Sequence, residues 1–150
     1  MPVTEVSNLR IARRRFVVGV LAAGVLRAQS EDVSHETLLE VLARFTSALS
    51  EGNSEGAIEN LDTSVPAMGV LARQLRDLVA VGEISCLVDP LEWPDHKAVL
   101  LDWLLEIRAP ELVGGLKRKR EKLTCRFVKK GKKWKIASLE PVEFFKSDKN

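Results

Sequence analysis

The sequence predicts an α+β domain in which three N-terminal helices pack on a curved antiparallel four-stranded meander. Two periodicities and the turns between them support this. Apolar residues recur at spacings of three and four over residues 34–82, which is typical of helices, and they alternate within residues 83–140, which is typical of strands. Glycine, proline and aspartate separate the alternating runs, and such short connections favour antiparallel neighbours. A chain of 150 residues is long enough for one hydrophobic core.

Glycine and proline divide the helical half into three segments. Ser34 is a suitable N-cap for the first helix, and Gly52 ends it. Ser54 is a candidate cap for a short second helix, and Pro66 opens a third, which ends at Gly82. The first helix places its apolar residues on one face: Leu38, Val41, Leu42, Phe45, Ala48 and Leu49.

Four strands are predicted over about residues 83–93, 96–108, 117–129 and 132–140. Turn residues between them predict a register, because the loop length of a hairpin fixes which residues pair. On that register each strand turns its apolar residues to one face of the sheet. The predicted hairpin-closing pairs are Trp93 with His96, Arg108 with Arg118, and Lys129 with Lys132.

Residues 1–30 have the three parts of an export signal. Residues 10–15 are basic, residues 16–26 are apolar, and Ala28-Gln29-Ser30 is a small-x-small cleavage site. The segment Arg13-Arg14-Arg15-Phe16-Val17 also resembles the twin-arginine motif, although a general secretory route fits the same pattern. We therefore expect an exported protein, periplasmic or secreted, whose folded domain spans residues 31–150 and which does not contact the membrane after removal of the signal.

Charge is distributed unevenly along the chain. After residue 30 there are 18 basic and 20 acidic residues, a net charge of −2, but residues 117–135 hold eleven basic residues and one acidic residue. A nucleic-acid surface would explain such a run. We favour the solvated face of antiparallel strands as the explanation, because the basic residues alternate with core residues and no recognisable nucleic-acid-binding signature is present. Since export also disfavours nucleic acid, we expect no nucleic-acid partner.

The two cysteines are predicted to remain unpaired. On the predicted register Cys86 and Cys125 lie two strands apart and two residues out of step, so strand geometry separates their Cα atoms by roughly 11–12 Å. That separation is beyond the reach of a disulfide. The two histidines are predicted at a helix start and in a turn, where no metal-ligand spacing arises. We expect no metal site and no cofactor.

The closing run G-K-K-W-K-I-A-S-L-E-P-V-E-F-F, residues 131–145, resembles the last strands of the nuclear transport factor 2-like superfamily, which includes ketosteroid isomerase, scytalone dehydratase and SnoaL-like polyketide cyclases. The resemblance covers residues 34–145 and implies the cone-like fold. Members of the superfamily include enzymes, binding modules and dimerising scaffolds, so fold alone does not decide function. Enzymes of the superfamily place an Asp or His base and a Tyr or Asp donor inside the cone, whereas this chain has no tyrosine and a predicted apolar interior.

An apolar pocket between the helices and the sheet is therefore the main candidate site. Such a pocket would suit an exported, non-enzymatic domain that binds a small apolar molecule or a protein partner. The same side chains could instead simply fill a core. Leu100 and Leu104 are predicted on the outer face of the sheet, which suggests a homodimer through that face. The predicted pocket residues are Phe45, Leu49, Leu75, Leu101, Trp103, Leu105, Cys125 and Trp134.

An enzymatic alternative depends on two carboxylates. The predicted register places Glu121 opposite Glu140 at the pocket mouth, with Lys119 and Ser138 nearby. Two close carboxylates raise one pKa and could serve as general acid and base in a hydrolyase or isomerase. The same positions would also suit a hydrated rim where the strand ends at Pro141.

Overall fold

Three α-helices occupy the N-terminal half of the described chain: α1 (His35–Ser50), α2 (Ser54–Ile58) and α3 (Pro66–Val81). A computed structural model describes residues 33–147, without the side chain of Val113. Ser34 caps α1, because its hydroxyl accepts a 3.1 Å hydrogen bond from the Thr37 N–H. Asn53, not the predicted Ser54, caps α2 by accepting from the Gly56 N–H at 2.9 Å. The predicted export signal, residues 1–30, lies outside the described residues.

The two long helices bury one face each. In α1 the buried residues are those of the predicted apolar stripe, and both helices have sixteen residues. Since α2 has only five residues, it adds little to the helical layer beyond Ala57 and Ile58. The buried residues of α3 are Met68, Leu71, Ala72, Leu75 and Leu78.

Four antiparallel strands form one sheet in the order of the chain. Each strand is joined to its neighbour in the sheet, so no connection crosses over another strand. The long loop before the third strand closes with a 3.1 Å hydrogen bond from the Ala109 N–H to the Gly115 carbonyl. The strands are β1 (Glu83–Asp95), β2 (Ala98–Arg108), β3 (Leu116–Lys130) and β4 (Lys133–Glu140).

The predicted register is wrong at each of the three junctions. The difference is two residues at β2–β3, at the β3–β4 turn and in the body of β1–β2, and it grows to four at the β1–β2 turn, where β1 is irregular. At β1–β2 the closing pair is Asp95 with Ala98, because the Asp95 carboxylate accepts a 2.7 Å hydrogen bond from the Lys97 N–H and so makes Asp95 the first residue of the turn. At β3–β4 the closing pair is Lys130 with Lys133. Gly131 then occupies the first loop position at φ +65°, as a type II′ hairpin requires. A shift by two leaves each side chain on its predicted face, because side chains alternate with a period of two.

A β-bulge changes the face of the last part of β4. Phe127 pairs with Ile136, but the next residue, Arg126, pairs with Ser138. The extra residue turns Leu139, which is fully buried, to the core in place of the predicted Ser138. The far edge of β4 is covered, since Ile136 exchanges backbone hydrogen bonds of 2.7 and 2.9 Å with residues 60 and 62.

The predicted fold class is wrong in its helical layer and in the closure of its interior. Of the three predicted helices, α2 is little more than one turn, so two helices do most of the packing on the sheet. A C-terminal 3₁₀ helix (Val142–Phe145), absent from the prediction, adds Phe144 and Phe145 to the hydrophobic core. The inner face of the sheet is therefore covered by the N-terminal helices together with the C-terminal 3₁₀ helix.

Candidate functional site

The eight predicted pocket residues form packed core instead of a lining. Seven of them have no exposed surface, and Trp134 is half-buried. Phe45 of α1 contacts Trp103 of β2 edge to face, with ring centroids 6.1 Å apart. Side chains so enclosed by one another leave no surface of their own to a ligand, which favours the core-filling interpretation of these residues.

Phe145 occupies the position where a ligand of the predicted pocket would lie. Its ring stands edge to face against Trp103 at 5.2 Å and Phe45 at 6.5 Å, and it is fully buried. Sequence reasoning assigned it no role. The signal was a pair of phenylalanines directly after a strand that ends at Pro141, where a solvent-exposed tail would be polar.

Lys119 holds this C-terminal segment in place. Its ammonium group donates to the Phe144 carbonyl at 3.1 Å and to the Lys146 carbonyl at 3.0 Å. Burial lowers the pKa of Lys119, with the neighbouring charge of Lys117 acting in the same direction. The lysine that was predicted beside two carboxylates therefore serves to anchor the chain terminus.

The candidate catalytic carboxylates are not brought together. Glu121 pairs with Trp103, and Glu140 pairs with Thr124 three residues further along β3. Both side chains are exposed. Within residues 33–147, no group of three or more His, Cys, Asp or Glu side chains is placed to hold a metal ion.

Two surface clefts lie outside the predicted pocket. One, of about 410 Å³, lies between the end of α1 and the outer ends of β1 and β2, and it is lined partly by Glu83, Glu106 and Arg108. The other, of about 480 Å³, is a shallow depression beside the C-terminal 3₁₀ helix and includes Glu121. Neither cleft is lined by any of the eight predicted pocket residues.

The thiols and imidazoles do not form a nucleophilic pair. Both cysteines are unpaired as predicted. Burial raises the pKa of Cys86 to about 12, partly offset by the nearby Trp103 indole N–H, and burial also raises the pKa of Cys125. His35 stacks on Trp93 at the β1–β2 hairpin end, with ring centroids 3.5 Å apart, and its pKa is lowered by burial and then by His96.

The outer face of the sheet carries an exposed apolar area. Leu87 of β1 is 56% exposed and lies directly opposite Leu104 of β2, while Leu91 in the β1 bulge is 45% exposed. Leu100 and Leu104 are partly exposed. Sequence reasoning found the two β2 leucines but missed Leu87 and Leu91, because the predicted register did not place them against the β2 pair.

Ion pairs flank this apolar area. Arg120 binds Asp102 through hydrogen bonds of 2.7 and 3.2 Å, and Arg118 binds Glu106 at 2.8 Å. The hydrogen bond from Arg120 lowers the pKa of Asp102. Of the eleven basic residues in the run 117–135, four form ion pairs and two more donate to backbone carbonyls: Arg118, Arg120, Arg126, Lys130, Lys119 and Lys135. More than half of the basic run thus has local partners, as expected for a strand face.

No protein-family model matches the chain, and no curated protein matches it. Solved structures do match. One is a protein of unknown function from Mycobacterium tuberculosis, with 15% identity and a TM-score of 0.51 over 69% of this chain and 71% of that one. Another, from Xanthomonas campestris, is described as a calcium/calmodulin dependent protein kinase II association domain, with 10% identity and a TM-score of 0.54 over 73% of this chain and 87% of that one. At such identities the likeness concerns the fold alone.

Among residues 33–147, no helix is both long enough and apolar enough to cross a membrane.

Proposed function

We propose that this chain is an exported, non-enzymatic association domain that forms a homodimer through the outer face of its sheet. The observation that carries the proposal is the pair Leu87 and Leu104, whose side chains stand together on the solvent side of the sheet. An exposed apolar cluster with a polar rim is typical of protein interaction sites. The packed interior supports the same choice, since it leaves binding to the surface.

A second copy of this chain is the partner that suits this face. β2 contributes the carboxylates Asp102 and Glu106, whereas β3 contributes Arg118, Arg120 and Lys122. A two-fold axis through the leucines would bring identical surfaces together. The carboxylates Asp102 and Glu106 are already paired with arginines within each copy, so such a contact would add no unpaired charge. The Xanthomonas campestris structure is described as an association domain, which agrees with this role, although its likeness to the chain is in fold only.

The proposal includes two expectations from the sequence. The signal pattern of residues 1–30 supports export, and the resemblance of residues 131–145 supports membership of the nuclear transport factor 2-like superfamily. The hydrolyase or isomerase alternative lacks support in the geometry, because Glu121 and Glu140 lie three residues out of step and exposed.

A charge in the centre of the apolar area tests the proposed dimer. We expect Leu87→Glu to convert the dimer to monomer, because two carboxylates would be buried without partners at a two-fold contact. The matched control is Val70→Glu on α3, where the side chain is 39% exposed and lies far from the sheet face. Sedimentation equilibrium measures the outcome.

The control should remain a dimer with unchanged thermal unfolding. A wild-type chain that is monomeric at all concentrations would overturn the proposal. So would a dimer that Leu87→Glu leaves intact.

A further inference from the structure

We propose that the β3–β4 hairpin end is a docking site for an anionic phospholipid surface. This basic tip consists of Lys129, Lys130, Gly131, Lys132, Lys133 and Trp134, with Lys97 of the neighbouring hairpin beside it. It differs from the leucine face proposed for dimerisation and does not depend on it. It also revises the sequence-based expectation that the mature domain has no contact with membranes.

The hairpin geometry concentrates the four lysines at a projecting point. Lys130 and Lys133 close the two-residue loop, and Lys129 pairs with Trp134 in the next row. All four lysine residues are exposed, and Lys132 occupies the loop itself. Strand neighbours lie about 5 Å apart, so the positive charges are held close together by the backbone.

Nearby carboxylates neutralise only part of the positive charge of the tip. Lys130 lies 3.6 Å from the Asp62 carboxylate. In the described part of the chain, no ion pair involves Lys129, Lys132 or Lys133. The nearby Asp95 carboxylate is held by Arg126 at 3.2 Å. The sheet face of the basic run is thus largely neutralised, whereas its end is not.

Trp134 gives the tip an amphipathic base. Its side chain is half-buried, and the Lys97 ammonium lies 5.9 Å from the ring centroid. Indole rings with one apolar and one hydrated side favour the headgroup region of bilayers. A tryptophan adjacent to several lysines is therefore suited to a membrane surface.

The type of cation favours a charged surface over a nucleic acid. Lysine is a point charge that suits a diffuse anionic layer, whereas arginine binds individual phosphates through two parallel hydrogen bonds. The three arginines of the basic run are all committed to carboxylates.

The described chain begins at the same end of the molecule. His35, at the start of α1, stacks on Trp93, which lies near the β1–β2 turn. That turn includes Lys97, whose carbonyl accepts a 2.9 Å hydrogen bond from the Phe127 N–H near the basic tip. Chain that precedes residue 33 therefore joins the domain on the side that carries the tip.

Vesicle co-sedimentation tests the proposal on the full chain and on the chain from residue 31 onward. The shorter chain contains every buried core residue, from Leu38 to Phe145, and its cooperative melting is to be checked first. The probes are vesicles of phosphatidylcholine alone and of phosphatidylcholine with phosphatidylglycerol. The variant is Lys132→Gln with Lys133→Gln, and the control of equal charge change is Arg44→Gln with Arg73→Gln, two exposed residues on the helices.

We expect the shorter chain to bind only the vesicles that contain phosphatidylglycerol, less strongly as salt increases. The lysine variant should bind roughly 25-fold more weakly, or about fivefold for each lysine. The arginine control should bind nearly as the wild type does. Absence of binding to anionic vesicles, equal loss in the control, or binding to duplex DNA at salt concentrations that abolish vesicle binding would each overturn the proposal.

Discussion

At the scale of single residues, the Phe145 side chain fills the interior of the domain. Its ring contacts Phe45, Trp103 and Phe144, and it has no exposed surface. We expect Phe145→Ala to lower the free energy of unfolding by about 3–5 kcal/mol, because a buried phenylalanine leaves a cavity that its neighbours fill only in part. Urea unfolding followed by circular dichroism measures the change.

The control for this substitution is Val70→Ala at a partly exposed helical position, for which we expect a change within about 0.5 kcal/mol. A loss of less than about 1 kcal/mol for Phe145→Ala would mean that the C-terminal 3₁₀ helix does not close the core.

Asp62 is a polar residue with 8% of its surface exposed in a mostly apolar region. Its Oδ1 atom accepts from the Ser64 hydroxyl at 2.6 Å and from the Ser64 N–H at 3.1 Å. The hydroxyl hydrogen bond is the main cause that lowers the pKa of Asp62, and Lys130 adds to it. A carboxylate with a lowered folded pKa adds stability above its ordinary value of 3.8, and that stability is lost as the pH falls through the folded pKa.

We therefore expect Asp62→Asn to destabilise the protein by about 1 kcal/mol at neutral pH and by much less in acid, where Asp62 itself is protonated. Urea titrations at a series of pH values from about 7 downward compare the two proteins. A difference that does not shrink as the pH falls would contradict the role given to the ionised carboxylate.

Two glycines lie in elements of different backbone conformation. Gly131 has φ +65° in the β3–β4 loop, whereas Gly69 lies inside α3, and a Cβ atom would meet no atom within 4 Å at either position. The two sites thus differ only in backbone conformation. We expect Gly131→Ala to destabilise by about 1–2 kcal/mol and Gly69→Ala to stabilise by about 1 kcal/mol.

Thermal unfolding of both alanine variants compares these effects directly. Changes of the same sign in the two proteins would contradict the assigned hairpin geometry.

The strand faces could be predicted from the sequence, but the pairing of the strands could not. Alternation identified Leu101, Trp103, Leu105 and Cys125 as inward-facing, and all are buried. The register depends on which turn residues occupy the loop, and at β1–β2 the Asp95 side chain settles this through a hydrogen bond that alternation does not reveal. At β3–β4 the different closing pair and the β4 bulge together place Glu140 opposite Thr124, three residues from Glu121, so the predicted catalytic pair does not form.

Hydrophobic periodicity also could not predict the β4 bulge or the C-terminal 3₁₀ helix. A bulge adds a residue to one strand, so Leu139 and Ser138 exchange roles without any change in composition. Residues 142–145 are too few to show a period, and only the apolar character of the two phenylalanines indicated burial. Periodicity nevertheless identified seven of the eight predicted pocket residues as buried, whereas Trp134 is half-buried.

At the scale of the whole molecule, the interior is filled and the apolar area of the sheet lies on its outer side. The helices and the C-terminal segment fill the concave side, while on the outer side leucines alternate with acidic residues along β2, beside the basic residues of β3. The basic tip adds a second surface at one end of the sheet. Both surfaces have the composition of sites that associate with other molecules.

Native mass spectrometry of the protein, purified gently from an exporting host, tests the central claim most directly. We expect a dimer whose mass equals that of two polypeptide chains without an adduct, because Phe145 fills the interior and the outer sheet faces pair. A monomer that carries an apolar molecule released on denaturation would contradict the account, since it would mean an open ligand cavity and no association.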